Sequence, residues 1–325
     1  MPTRLLAGVL ALGLVAACSH SAVSPKAPGA AARARATTDP LTGLPAHAAG
    51  PVIAVKIDNA QLARPFQRGL RQAAVIYQEL VEGGSTRLMA IFESGSATQE
   101  VGPIRSARQS DLAVLRAYGR PAFAFSGANP GVTALVAGAV RDKQVLDASY
   151  DALPGSYRLG ERRADARNFF AVPSVLAKRR PGSLPQDIGL RFAAAVPAGP
   201  ATTTMAAAFS PTSTVRVRYD ATSGRYVLSQ DGRVLPIACA NVVVQVVRTG
   251  ASRFHDVHGE NSPLTVSTGS GRAVVLRDGK QVKGRWSRAG LGATHLLNAA
   301  GQDVALKPGP TWIMLLPVSG TITFG

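Results

Sequence analysis

The stretch "AAVIYQELVEGGSTRLMAIFES", Ala73–Ser94, decides the fold class. Two apolar runs flank a Gly83-Gly84 turn. In the second run Leu88, Ala90 and Phe92 alternate with Met89 and Ile91, the period-two pattern of a strand. Upstream, "PVIAVKIDN" (Pro51–Asn59) is another β-rich run, ending in a polar Asp58-Asn59 corner. Downstream, Ile104–Tyr118 reads as a helix: Ile104, Ala107, Leu112 and Leu115 lie roughly on one side and Gly119-Arg120-Pro121 stops it. "AFAFSG" (Ala122–Gly127) reads as a buried strand, and "NPGVTALVAGAV" (Asn129–Val140) as a short helix. Strands and helices in this order predict a mixed α/β layer structure over residues 39–200.

Beyond Leu153 the pattern weakens. "RLGERRADARNFF" (Arg158–Phe170) and "AKRRPGSLPQ" (Ala177–Gln186) read as basic, loop-like pieces around a short apolar stretch, Val172–Leu176. The Ala/Pro/Thr-rich run 193–213 marks a domain boundary near residue 200. Residues 201–325 then read as a β domain. "STVRVRYD", "NVVVQVVR", "GRAVVLRDGKQVKGRWSR" and "TWIMLLPVSGTITF" are strand runs separated by turn residues, and Asp278-Gly279 supplies the positive-φ pair of a hairpin turn. A small sandwich or barrel is expected there. The chain as a whole is therefore read as α+β, an N-terminal mixed α/β domain followed by a mainly antiparallel β domain.

The first residues, "MPTRLLAGVLALGLVAACSH", place Arg4 before a short apolar run that ends in small residues at Cys18. The run is too short to span a bilayer, which takes about 20 apolar residues, and it fits a secretory signal peptide over residues 1–17. Small residues directly before a cysteine form a lipobox. Cys18 is the expected lipid-modified residue, anchoring the chain at the extracytoplasmic face of the membrane. Residues 18–38, rich in Ala, Ser and Pro, are expected to be a disordered tether reaching about 25 Å. The one other cysteine, Cys239, lies in an apolar run and is expected to be a buried, inert thiol, so no intramolecular disulfide is expected.

The formal charge of +17 on 325 residues invites a nucleic-acid reading. The exported address opposes it, and the basic residues are spread along the chain instead of clustered. A diffuse positive field outside a membrane is better matched to anionic headgroups or cell-wall polymers.

The candidate site is a polar constellation in the N-terminal region: Asp58, Asn59, Arg64, Glu79, Glu82, Arg87, Arg105, Ser106 and Arg108. A helix starting near Ile104 would point free N–H groups toward Pro103 and set Arg105 and Arg108, three apart, on one face. Arginine forks suit phosphate or carboxylate. The alternative is an internal network in which Glu79 and Glu82 pair with Arg87, Arg105 or Arg108. "FHDVHGEN" offers His255, Asp256, His258 and Glu260 as metal ligands, but solvated loop residues are the expectation, and no metal or other cofactor is expected. Gly269-x-Gly271 precedes a strand, so it is a turn or bulge and not a dinucleotide loop. Trp286 and Trp312 sit in strand contexts and are expected in the core. No Walker motif, nucleophile elbow or HExxH motif occurs in the sequence.

Several phrases together resemble the YerB-like family of bacterial lipoprotein sequences. They include "DPLTGLP" (Asp39–Pro45), "VIAVKIDN" (Val52–Asn59), "YQELVEGGSTRLMAIF" (Tyr77–Phe92) and "VGPIRSAR" (Val101–Arg108). The C-terminal matches include "NVVVQ" (Asn241–Gln245), "GSGRAVVLRDGK" (Gly269–Lys280) and "LKPGPTWIMLLP" (Leu306–Pro317). The resemblance implies an N- and a C-terminal domain, both of unknown function, and carries no reaction with it. Where the family commonly has Pro-His-Asn, this chain has Ala166-Arg167-Asn168, so any acid–base role of that histidine is lost; Asn168 joins the candidate ligand-binding residues. The functional expectation is a membrane-anchored envelope module binding an anionic wall polymer, a lipid-linked phosphate or an envelope protein surface. Two alternatives stand beside it: an enzyme using Asp58, Glu79 or Glu82, and a scaffold recruiting another envelope protein.

Overall fold

The computed structural model describes residues 38–46, 50–256 and 259–325. The signal segment, Cys18, the tether and His258 lie outside the described residues. The N-terminal region contributes β1 (Val52–Asp58), β2 (Val75–Leu80), β3 (Thr86–Glu93), α1 (Gln109–Leu115), β4 (Ala122–Ala124), α2 (Pro130–Arg141) and β5 (Leu146–Asp147). It continues with β6 (Tyr157–Arg162), β7 (Arg167–Ala171), α3 (Pro173–Arg179) and β8 (Arg191–Phe192). The C-terminal region contributes β9 (Thr204–Ser210), β10 (Ser213–Asp220), β11 (Arg225–Gln230), β12 (Arg233–Cys239), β13 (Asn241–His255) and β14 (Asn261–Val266). The last elements are β15 (Gly269–Arg277), β16 (Lys280–Arg288), β17 (His295–Asn298), β18 (Ala305–Leu306), β19 (Thr311–Pro317) and β20 (Thr321–Phe324).

A large sheet runs β17-β16-β15-β13-β19-β2-β3-β1-β4-β5, with β14 paired off β13. It holds strands from both sides of residue 200. The junction is β19, parallel to β13 on one side and to β2 on the other, with Thr311 level with Val75 and Leu315 with Glu79. A second, antiparallel sheet, β12-β11-β10-β9-β20, packs on one face of the first. Met205, Phe209, Val215 and Leu228 from the small sheet share a core with Ile76, Leu88, Val244 and Met314. On the opposite face α1 and α2 bring Val114, Leu115, Val132 and Val136 against Met89, Ile91, Val243 and Ile313.

Every residue of β1 is buried, including Lys56 and Asp58. Each fully buried large aliphatic side chain contributes about 1.5–3 kcal/mol, so the central strands hold the layers together. Trp286 and Trp312 are core residues, donating their indole N–H to the Val246 carbonyl (2.9 Å) and to Gln78 Oε1 (3.1 Å). Cys239 is fully buried, and burial pushes its thiol up to about 12, leaving it unreactive. The Asp278-Gly279 turn between β15 and β16 has φ of 52° and 70°, as its sequence demands. Gly271 lies within β15 opposite Trp286 and not in a phosphate loop.

Several local expectations differ from the structure. The segment from Ile104 to Arg108 is extended, and the helix begins only at Gln109. Its backbone is used elsewhere: Ile104 N–H donates to Phe169 O, Arg105 N–H to Lys56 O, and Ala107 N–H to Gly127 O. The "loop-like" run 158–170 is the β6–β7 hairpin, Val172–Leu176 opens into α3, and the Ala/Thr-rich boundary contains strand β9. The strands after residue 201 divide between two sheets and form no closed barrel among the described residues.

Candidate functional site

Strand register assembles the site. Arg87, at the start of β3, sits between Asp58 at the end of β1 and Glu79 on β2. The β2–β3 turn, with Gly83 and Gly84 at φ of 64° and 68°, carries Glu82 beside them. The extended run before α1 lays Arg105, Ser106 and Arg108 over the same edge. The Ser126–Pro130 loop and the β13–β14 hairpin close the remaining sides. The result is a cleft of about 670 Å³.

Six of the ten candidate ligand-binding residues line this cleft: Asp58, Glu82, Arg87, Arg105, Ser106 and Arg108. The helix face invoked for Arg105 and Arg108 is absent; the segment ahead of α1, outside any strand, delivers them instead. The other four lie outside it. Asn59 is fully buried and donates to Thr86 Oγ1 and Gln230 Oε1, both at 2.8 Å. Arg64 pairs with Asp231 at 2.7 Å. Glu79 is buried with Lys56, and Asn168 is buried with its Oδ1 accepting from Arg163 Nη1 at 2.7 Å. His255, Asp256 and Glu260, read as solvated loop residues, reach the cleft rim. No group of three or more His, Cys, Asp or Glu able to hold a metal occurs among the described residues.

Arg108 donates Nε (3.1 Å) and Nη2 (2.6 Å) to Glu82 Oε2, while Ser262 Oγ donates to Glu82 Oε1. Burial pushes the Glu82 carboxyl up, but these donors outweigh it and hold it below its ordinary value. Arg163 binds Asp58 (2.8 Å) and Asp165 (2.9 Å), leaving Arg105 Nε at 3.4 Å from Asp58 Oδ2. Arg87 differs from all of these. Its Nη1 donates to the Ser106 carbonyl at 3.2 Å, its buried Nε has no hydrogen-bond partner, and it forms no ion pair with any described carboxylate. Burial first, then the Arg108 charge, pulls it down to about 10, so it stays protonated at neutral pH.

Beneath the site Lys56 binds both Glu79 and Asp111, all three almost wholly buried. Burial lifts Glu79 to about 7 against the pull of Lys56. Sequence reasoning missed Lys56, Asp111, Arg163, Asp165 and Ser262. A single lysine inside the apolar run "VIAVKID" was the available signal for a buried ion pair. Arg163 was hidden by the reading of its hairpin as a loop.

This is an α+β protein in which the two sequence regions share one sheet and build one ion-lined cleft. The models of the family described as protein of unknown function DUF3048 match both regions, the N-terminal domain over residues 41–183 and the C-terminal domain over 205–313. The chain belongs to this YerB-like family. It is 25% identical over 287 residues to the Bacillus subtilis (strain 168) protein named "Putative lipoprotein YerB", an alignment covering 82% of this chain and 81% of that one. The crystal structure of YerB protein from Bacillus subtilis superposes with a TM-score of 0.70 at 22% identity, covering 88% of this chain and 99% of that one, a likeness of fold.

Proposed function

We propose that the protein is an envelope-associated, lipid-anchored binding protein that holds an anionic group on the floor of the cleft. The observation carrying this reading is Arg87, an enclosed guanidinium with an unpartnered Nε and no described ion pair, beside the loosely held Arg105. The acids that act on Arg87, Asp58 and Glu82, are themselves held by Arg163 and Arg108, so its enclosed charge is only partly compensated, and a bound phosphate or carboxylate would offset the remaining cost. Binding is favoured over acid–base catalysis because the acids weighed for that role are engaged: Asp58 with Arg163, Glu79 with Lys56, Glu82 with Arg108 and Ser262. The address rests on the lipobox at Cys18 and on the lipoprotein name of the relative.

Titration calorimetry with inorganic phosphate is the test of the site. Arg87→Gln weakens binding by about tenfold or more, and Arg105→Ala by less, with circular dichroism unchanged. Equal affinity in a folded Arg87→Gln variant would remove the cleft floor as the site. The anchor is tested separately: metabolic labelling with a fatty acid marks the wild type, and label persisting on Cys18→Ser would overturn it.

A further inference from the structure

Away from the cleft, strands β15 and β16 carry cations that nothing in the protein answers. Val274 and Leu276 of β15 point into the core shared with the small sheet. Strand alternation puts Arg272 on the same face, and register sets Arg285 of β16 directly opposite it, with Lys283 opposite Val274. All three cations are exposed, and among the described residues no hydrogen bond or ion pair engages their side chains. Lys283 Nζ instead lies 5.1 Å from the ring centroid of the exposed Phe324, on the edge strand β20 of the small sheet. No Asp or Glu of β15 or β16 shares this face. Asp303, across β17 from Arg285, is held by His295 (3.2 Å) and Arg191 (3.9 Å). Elsewhere exposed arginines do find acids, Arg158 with Glu100 and Arg191 with Asp187.

Like charges directly opposite on neighbouring strands repel. An arginine pair kept there without an acid is complementary to negative charge outside the chain. A second copy meeting this face across a two-fold axis would set cation on cation. The face is an open stretch of sheet and not a pocket, so it suits a charged surface better than one small anion. We propose that it docks on a bilayer bearing anionic headgroups, with Arg272, Lys283 and Arg285 among the phosphates and Phe324 at the interface. The length of chain outside the described residues permits this. Thr38 follows Cys18 by 20 residues, a span of at most about 70 Å, so the anchor proposed at Cys18 would keep the face within reach of the membrane. Arg272 stands one residue past the row Ala273–Gln245–Leu315–Glu79–Arg87, so docking also holds the cleft end of the large sheet near the lipid. This inference rests on the envelope address and not on anion binding at Arg87.

Vesicle sedimentation of the full chain carrying Cys18→Ser is the test, so that no acyl chain contributes and the outcome is separate from the fatty-acid label. Phosphatidylcholine vesicles are compared with an equal mixture of phosphatidylcholine and phosphatidylglycerol. The ratio of the two partition coefficients cancels uncharged attraction by the N-terminal apolar run. It is expected to favour the anionic vesicles by on the order of a hundredfold, about fivefold for each of the three cations, and to fall as salt is raised. Arg272→Gln/Arg285→Gln lowers the ratio about twentyfold with circular dichroism unchanged, and Lys283→Gln alone lowers it about fivefold. Arg120→Gln/Arg141→Gln removes the same charge beside the start of β4 and at the end of α2, and leaves the ratio within about twofold of the starting chain. An equal loss in both double variants would mean that net charge acts and not this face. An unchanged ratio in folded Arg272→Gln/Arg285→Gln, or in Lys283→Gln if the double variant does not fold, overturns the docking. Binding to soluble polyphosphate without any preference for the anionic vesicles overturns it in favour of a polymer.

Discussion

Arg108 and Glu82 form a two-donor ion pair at the cleft wall, with the guanidinium Nε and Nη2 on one carboxylate oxygen and Ser262 on the other. The pair is mostly buried, 11% and 7% exposed, so it works as a structural staple between α1 and the β2–β3 turn. Arg108→Ala leaves Glu82 enclosed without its cation and is expected to cost about 1–3 kcal/mol in urea unfolding. Because the folded Glu82 carboxyl lies below its unfolded value, its contribution is present above the unfolded value and lost as pH falls through the folded one. The acid limb of stability should therefore flatten in Arg108→Ala; an unchanged limb would show that the pair is idle.

The Lys56–Glu79–Asp111 triad predicts the opposite slope. One lysine neutralises one of two carboxylates, and the other keeps a proton until about pH 7. Between the unfolded value of 4.5 and about 7 the native state holds a proton that the unfolded state has released, so stability falls as pH rises through this window. Glu93, pushed up to about 9 by burial and by Asp39, acts in the same direction over the wider window from 4.5 to about 9, so the difference between variants is what isolates the triad. Wild type minus Glu79→Gln should lose on the order of 2 kcal/mol from pH 5 to pH 8. Parallel pH profiles would refute it.

Much of this was legible because local pattern and tertiary context agree in the buried strands. "VIAVKID", "VIYQEL" and "TRLMAIFE" announce β1, β2 and β3 by composition alone, and Asp278-Gly279 announces its turn. Of the helix read over Ile104–Tyr118 only the start departs: apolar spacing carries it back to Ile104, whereas Ile104 and Arg105 spend their N–H groups on β7 and β1, a non-local demand invisible to periodicity. The joining of the two regions through β19 was equally hidden, since parallel pairing of residues more than two hundred positions apart leaves no local signal. The candidate residues that line the cleft stand out in the sequence by charge within family-like phrases. Their division into paired and unpaired members needed the register.

The two sheets are locked by amides. Gln230 on β11 accepts from Asn59 (2.8 Å) and Gln78 (3.0 Å), and donates to Ser213 (2.8 Å) and Thr86 (3.1 Å). It is fully buried, so Gln230→Leu strands several polar groups without water. The expected loss is about 2–4 kcal/mol in urea unfolding. A double-mutant cycle with Asn59→Ala should show coupling of about 1 kcal/mol or more between the sheets; additivity would mean that packing alone docks them.

Gly131 joins α2 to the cleft hairpin. A Cβ there would lie 2.2 Å from Phe254 Cε1 and 2.5 Å from Cδ1, so the ring packs directly on the helix backbone. The next residue, His255, accepts from the Asn129 side chain through its carbonyl, tying the hairpin to the helix start. Gly131→Ala gains up to about 1 kcal/mol of helix propensity, but overpacking against the buried ring costs about 1–3 kcal/mol. Net destabilisation is therefore expected, together with a shift of Asp256 and Glu260 relative to Arg87. Phe254→Ala removes the clash at the cost of a cavity that the new methyl partly fills. The double variant should thus be more stable than the sum of the single effects by about 1 kcal/mol. Strict additivity would mean that the ring already has room to move, and that the hairpin's position over the cleft is set by the Asn129–His255 and Ser262–Glu82 hydrogen bonds alone.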